Sequence, residues 1–154
     1  MRQLGNLAKI PEFDKAFWKH IGDEICDEIR VQTQVNSKDV HNRKFKAYSR
    51  GYAERKPKIR RGSGSGSKVN LTLTGDMMRN LQTRGYSKDS VIIGWSGVDA
   101  QKVQQNEEMG RAVTTKSRPL SKGSLRLIEV QTNKRIKRNA DKETAKPINF
   151  KIGK

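Results

Sequence analysis

This chain of 154 residues has a single cysteine, two histidines and four prolines, and aromatic residues make up 6% of it. Cys26 alone cannot form an intrachain disulfide, which points to a reducing compartment. With only His20 and His41 beside it, no Cys/His zinc site of familiar spacing can be assembled, so a structural or catalytic metal is not expected. Apolar run length is equally scarce. No stretch approaches the roughly 20 apolar residues of a membrane span, and none near Met1 is long enough for a signal peptide. The expectation is a soluble protein made in a cytoplasm, with no membrane partner. Apolar residues amount to 32%, against the ~45–50% usual for globular chains on a count that includes glycine. A chain so polar tends to borrow burial from a partner, which predicts a subunit of something larger.

Positive charge is what the chain has in excess. Thirty-three Lys and Arg against 16 Asp and Glu give a net charge of +17. That balance suits nucleic acid, another anionic surface or an acidic protein, without choosing among them. The leading expectation for fold is α+β: a small mixed or antiparallel sheet flanked by a long N-terminal helix and two or three shorter helices. Residues 1–138 would form one domain, with a basic Gly/Ser loop over 56–68. Residues 139–154 would form a basic arm ending in a strand.

The longest helix is predicted from Ile10 to about Val31. Phe13, Phe17, Ile21, Ile25 and Ile29 recur every four residues, and Ile10 and Trp18 widen the stripe. Pro11 suits its first turn, with Glu12 and Asp14 complementing the helix dipole. Asp23, Glu24, Asp27 and Glu28 make the other side acidic; a solvated face is one reading and a contact between identical subunits is another. Cys26 reads as a small buried residue, because no histidine base is near it in sequence.

Asn36 to Asn42 reads as a loop. In the stretch from Arg43 to Lys56, Phe45, Tyr48 and Tyr52 lie among basic residues. Rings that stack on bases and cations that meet phosphates would use such interleaving, and a short helix burying its rings would use it equally. Lys56 to Ser67 is predicted as a loop by its glycines and serines. It fails as a phosphate loop: Ser67 stands where the second glycine belongs, and Val69 follows Lys68 in place of Ser or Thr.

Val69 to Leu73 alternates as a strand does. Thr74 is then the expected cap of a helix running to about Gln82, with Met77, Met78 and Leu81 as its apolar stripe. Gly85-Tyr86-Ser87 is expected as a turn and Ser90 to Trp95 as a buried strand. Ala100 to Met109 is expected as a polar helix stopped by Gly110, and Ala112 to Thr115 as a short strand. A helix is predicted from Ser121, carrying Leu125, Leu127, Ile128, Val130 and Ile136, with Lys134, Arg135, Lys137 and Arg138 at its end. Ile148, Phe150 and Ile152 alternate as a strand that must pair with its own sheet or a neighbour's edge.

The order of these motifs carries a resemblance. Lys44-Phe45-Lys46-Ala47-Tyr48-Ser49 and Tyr52-Ala53-Glu54-Arg55-Lys56 precede Val69-Asn70-Leu71-Thr72-Leu73-Thr74-Gly75-Asp76-Met77-Met78. Then come Val91-Ile92-Ile93-Gly94 and Asn106-Glu107-Glu108-Met109-Gly110-Arg111. Across roughly residues 42 to 120 this resembles the tailed-bacteriophage virion morphogenesis group of neck, head–tail connector and tail-completion proteins. There a large ring and Ser lead to a Leu-Thr-Gly strand–helix step, a strand, and a helix ending in Gly-x-x-x-Arg. The chain departs in having Asn106-Glu107-Glu108 where a His or aromatic is usual, and Arg111 directly after the glycine.

The resemblance implies a small α+β ring subunit at the head–tail junction of the virion, without catalysis or cofactor. Its partners would be its own copies, portal or other connector proteins, tail proteins, and double-stranded DNA passing through non-specifically. Lys58, Arg60, Arg61, Lys134, Arg135, Lys137 and Arg138 are the expected DNA-facing cations. Asp23, Glu24, Asp27, Glu28, Met77, Met78, Ile148 and Phe150 are the expected subunit contacts. Two alternatives stand beside a connector: a tail terminator, and a sequence-independent nucleic-acid-binding protein. A His-Asn-His nuclease would need a second metal-binding histidine after His41-Asn42, and none follows.

Overall fold

The computed structural model describes residues 13–59, 68–72 and 75–144. Among them five α-helices and one two-stranded antiparallel sheet form an α+β fold. Helix α1 spans Lys15–Arg30 and continues into a π-helical turn, Val31–Val35. It starts later than its hydrophobic stripe suggests. Asp14 takes extended backbone and its carboxylate accepts the Phe17 N–H at 2.7 Å, so it is the cap and not a first-turn residue. The expected start at Ile10 and Pro11 lies outside the described residues.

The stripe itself packs as the spacing requires: Ile21, Ile25, Cys26 and Ile29 are buried. Burial pushes the Cys26 thiol pKa up, which keeps it protonated and unreactive. Along the π turn Thr33 is buried, while Val31 and Val35 are exposed.

Between α1 and the next helix the chain is irregular, and Phe45 enters the core from an extended segment. Helix α2, Arg50–Ile59, runs through Lys56 and Pro57, where a loop is expected from sequence. Proline so near a C-terminus removes one internal bond, and the helix ends two residues later. Residues 60–67 lie outside the described residues.

No strand forms at Val69 to Thr72. Asn70 uses its side-chain oxygen to accept the Thr72 N–H at 3.2 Å, and the Thr72 hydroxyl donates back to the Asn70 carbonyl at 3.0 Å. These local bonds displace strand pairing, and Leu71 sits in the left-handed region at φ 51. Its N–H is taken by the Tyr48 hydroxyl at 3.1 Å. Helix α3 is short, Asp76–Asn80, and Gly75 at φ 83 is its cap. Thr74, the expected cap, and Leu73 lie outside the described residues. Arg30 ties α1 to α3, donating to the carbonyls of Met78 and Leu81 and to Asp27.

Strand β1 is Gln82–Tyr86, where a turn is expected at Gly85. It pairs with β2, Val91–Gly94, with a bulge at Arg84, and Ile92 stands opposite Gly85. The turn lies one step later, closed by Ser87 N–H on the Ser90 carbonyl at 2.8 Å. The second strand is not fully buried: Ile92 is 64% exposed, while Ile93 packs on the core. The hairpin lies against α1 at Gly22. A Cβ there would come within 2.6 Å of both Thr83 Oγ1 and Val91 Cγ2, so only glycine permits this crossing.

Helix α4 is Val98–Glu108, anchored by buried Val103 and stopped by Gly110 at φ 75, as its composition predicts. Ala112 and Val113 are buried in irregular backbone; the strand expected there is absent, and Ala112 spends its carbonyl on the Val40 N–H. Helix α5, Lys122–Thr144, is one unbroken rod. It runs straight through Arg138, where a boundary between domain and arm is expected.

Candidate assembly and nucleic-acid interface

Helix α5 is fastened to α1 along one edge, and the fastening is largely polar. Ser124 Oγ donates to Glu28 at 2.6 Å, Gln131 Nε2 to Glu24 at 2.8 Å and Arg135 Nη2 to Asp14 at 2.8 Å. Positions rise on α5 as they fall on α1, so the two helices are antiparallel. Leu127 and Ile128 are the apolar part of this edge.

At the start of α5, Ser121 Oγ accepts the Ser124 N–H at 3.0 Å, an N-cap contact, and Ser121 also donates to Glu28. The Glu28 carboxylate therefore sits at the positive end of the α5 dipole. It is so close that a Cβ on Gly123 would lie 2.5 Å from Glu28 Oε1.

These bonds revise the acidic face. Asp23 is engaged by Lys19 at 2.6 Å and by the Thr83 hydroxyl at 2.7 Å, which hold its pKa below the ordinary aspartate value. Glu24 and Glu28 bind α5 of their own chain. Asp27 alone of the four is exposed, and it pairs with Arg30. An acidic strip free for a neighbour is thus reduced to one residue. Met77 and Met78 are corrected as well. They are 7% and 1% exposed, in the core cluster, because α3, which packs against α4, turns its stripe inward. Ile148 and Phe150 lie outside the described residues.

The basic run divides in two. Arg135 is partly buried on Asp14 and is not an open cation. Lys134, Lys137 and Arg138 are exposed on one helix face at i, i+3 and i+4 spacing. Neighbouring like charges at these spacings repel by a few tenths of a kcal/mol each, and an anion laid along the face relieves that. Lys122, Arg126 and Lys142 add further exposed cations on the same helix, which reading the C-terminal cluster alone overlooks. Lys58 is exposed near the end of α2, on a separate helix. Arg60 and Arg61 lie outside the described residues.

The hairpin adds a second open feature. Among the described residues no further strand pairs with either outer edge of the two-stranded sheet, a form marginal without further pairing or packing. The hairpin also exposes Ile92 on β2 and Tyr86 on β1, and elsewhere Val98 at the start of α4 and Leu125 on α5 are exposed.

Neither a family model, nor a curated protein, nor a solved structure matches the chain. Among the described residues no group of three or more His, Cys, Asp and Glu could hold a metal ion. Among the same residues no helix is long and apolar enough to cross a membrane.

Proposed function

We propose that the chain is a structural subunit of a tailed-bacteriophage neck, assembling with its own copies into a ring that joins the portal to the tail. The observation that carries the reading is helix α5, held to the body by one polar edge with Lys134, Lys137 and Arg138 turned outward. A cationic rod of this kind faces an anionic polymer with side chains that neutralise phosphates without reading bases. Such contact permits DNA to slide. The hairpin edges, which pair with no further strand among the described residues, and exposed Ile92, Val98 and Leu125 supply surface for head-to-tail contacts, in which two different patches meet. The motif order from Lys44 to Arg111 supplies the neck assignment within this class. The role is structural and not enzymatic, and the protein's place is the virion's head–tail junction. Incubation with purified portal, followed by negative-stain imaging, tests it: added density at the portal's tail-facing end supports the reading, and bare portals refute it.

The exposed cations also favour a sequence-independent nucleic-acid-binding protein that acts without a ring. Tight binding of short duplexes by a monomer, with no affinity for portal or tail, selects that reading.

A further inference from the structure

Beside α4 lies a cavity of about 490 Å³, walled by Tyr48, Tyr52, Leu71, Met77, Met109 and Arg111. No described residue lining it carries a carboxylate. Two cations line it, and while Lys102 is paired with Asp99, Arg111 is unusual in its surroundings. Arg111 is 8% exposed, and it joins none of the ion pairs among the described residues. Its Nε donates to the Lys46 carbonyl at 3.0 Å and its Nη2 to the Ala47 carbonyl at 3.0 Å. Nη1 reaches only the Met109 sulfur, at 3.5 Å, and a thioether is a weak acceptor. Of the five guanidinium N–H groups, two therefore meet strong acceptors.

A buried cation without a counter-charge is costly, and here an aromatic face offsets it in part: the guanidinium lies 5.0 Å from the Tyr48 ring centroid. The same ring has the Lys56 ammonium 4.9 Å away, and Lys56 is wholly buried with its Nζ on Asn70. The cavity thus sets a buried guanidinium beside aromatic and thioether side chains.

We infer that this cavity is a docking site for a partner-protein segment presenting an apolar side chain beside a carboxylate. The carboxylate closes on Arg111, and the apolar side chain fills the space between Tyr52, Met77 and Met109. Methionine walls adapt to such a side chain, and a guanidinium pairs with a planar carboxylate through two parallel N–H bonds. A phosphate group fits less well, since the second cation of the lining, Lys102, is already paired with Asp99 at 2.7 Å and the rest of the wall is aromatic, thioether or neutral. The inference is independent of the ring reading, because a monomer carries the same cavity.

The test uses the full chain and N-acetyl-phenylalanine as probe, followed through the Arg111 Nε–H resonance by NMR. The expected result is a saturable shift at Arg111, with the free acid binding about tenfold tighter than its amide. Arg111→Gln removes the cation but also releases two backbone carbonyls and can unfold the protein. Gln105→Trp is therefore the second variant: it places a ring over the cavity from the exposed side of α4 and is expected to abolish the shift while leaving the fold intact. Equal binding of acid and amide, an Arg111 shift produced as readily by inorganic phosphate or acetate, or unchanged binding in Gln105→Trp each overturns the inference.

Discussion

Removing Glu28 should detach the start of α5, and its size can be worked from the contacts. The carboxylate accepts from Ser124 Oγ at 2.6 Å and from Ser121 Oγ at 3.2 Å, with both serines buried. Hydrogen bonds to a charged group contribute about 1.5–3 kcal/mol, and an anion at a helix N-terminus about 0.3–1 kcal/mol. The serine hydroxyls retain each other at 3.2 Å, which limits the loss. Glu28→Ala should therefore cost about 2–4 kcal/mol, and Glu28→Gln, which keeps an acceptor oxygen but not the charge, roughly half of that. Asp27→Ala is the control. Its side chain is 73% exposed and bridged only within its own helix, so about 0.5 kcal/mol or less is expected. Urea unfolding followed by circular dichroism gives each value from the midpoint at unchanged slope. Equal costs for the Glu28 and Asp27 variants would refute the claim that the acidic face serves α5.

Three other outcomes are expected. Met78→Ala, at a side chain 1% exposed, should cost about 2–5 kcal/mol in urea unfolding, whereas Ile92→Ala, at one 64% exposed, should cost far less. Replacing Lys134, Lys137 and Arg138 by Gln should leave folding stability within about 0.5 kcal/mol, yet lower the salt slope of duplex binding by about 3; Arg135→Ala should instead weaken folding through Asp14. Acid should destabilise the protein through Asp14, Asp23 and Asp99. Their pKa values are held below the ordinary 3.8 by, in order, the Phe17 N–H, the Lys19 ammonium and the Lys102 ammonium. Depressed carboxylate pKa values contribute stability that is present above 3.8 and lost as pH falls through the folded values. Urea midpoints should thus decline below about pH 4, with a smaller decline in Asp14→Asn.

Periodicity made the helices readable. Ile21, Ile25 and Ile29 define α1, Val103 and Gly110 define α4, and the long Gly/Pro-free segment after Gly123 defines α5. Local side-chain chemistry hid the rest. Asn70 turns a strand-like alternation into a bonded turn, and Gly85, a turn-former by type, is a strand residue because Ile92 covers it. The expected cationic cluster was legible as composition, but the split between Arg135 and its neighbours required Asp14, 121 positions away. Glu28 is the same case: nothing near it in sequence announces Ser121 and Ser124. Arg111 is legible in the sequence only as part of a motif order, because its uncompensated charge is visible only in three dimensions.

The proposed function requires this basic chain to assemble into a ring. Native mass spectrometry of the purified full chain, alone and with portal added, tests that most directly. A single closed stoichiometry, formed alone or on the portal, is the predicted result. A strict monomer at every concentration that also leaves portal mass unchanged would contradict it.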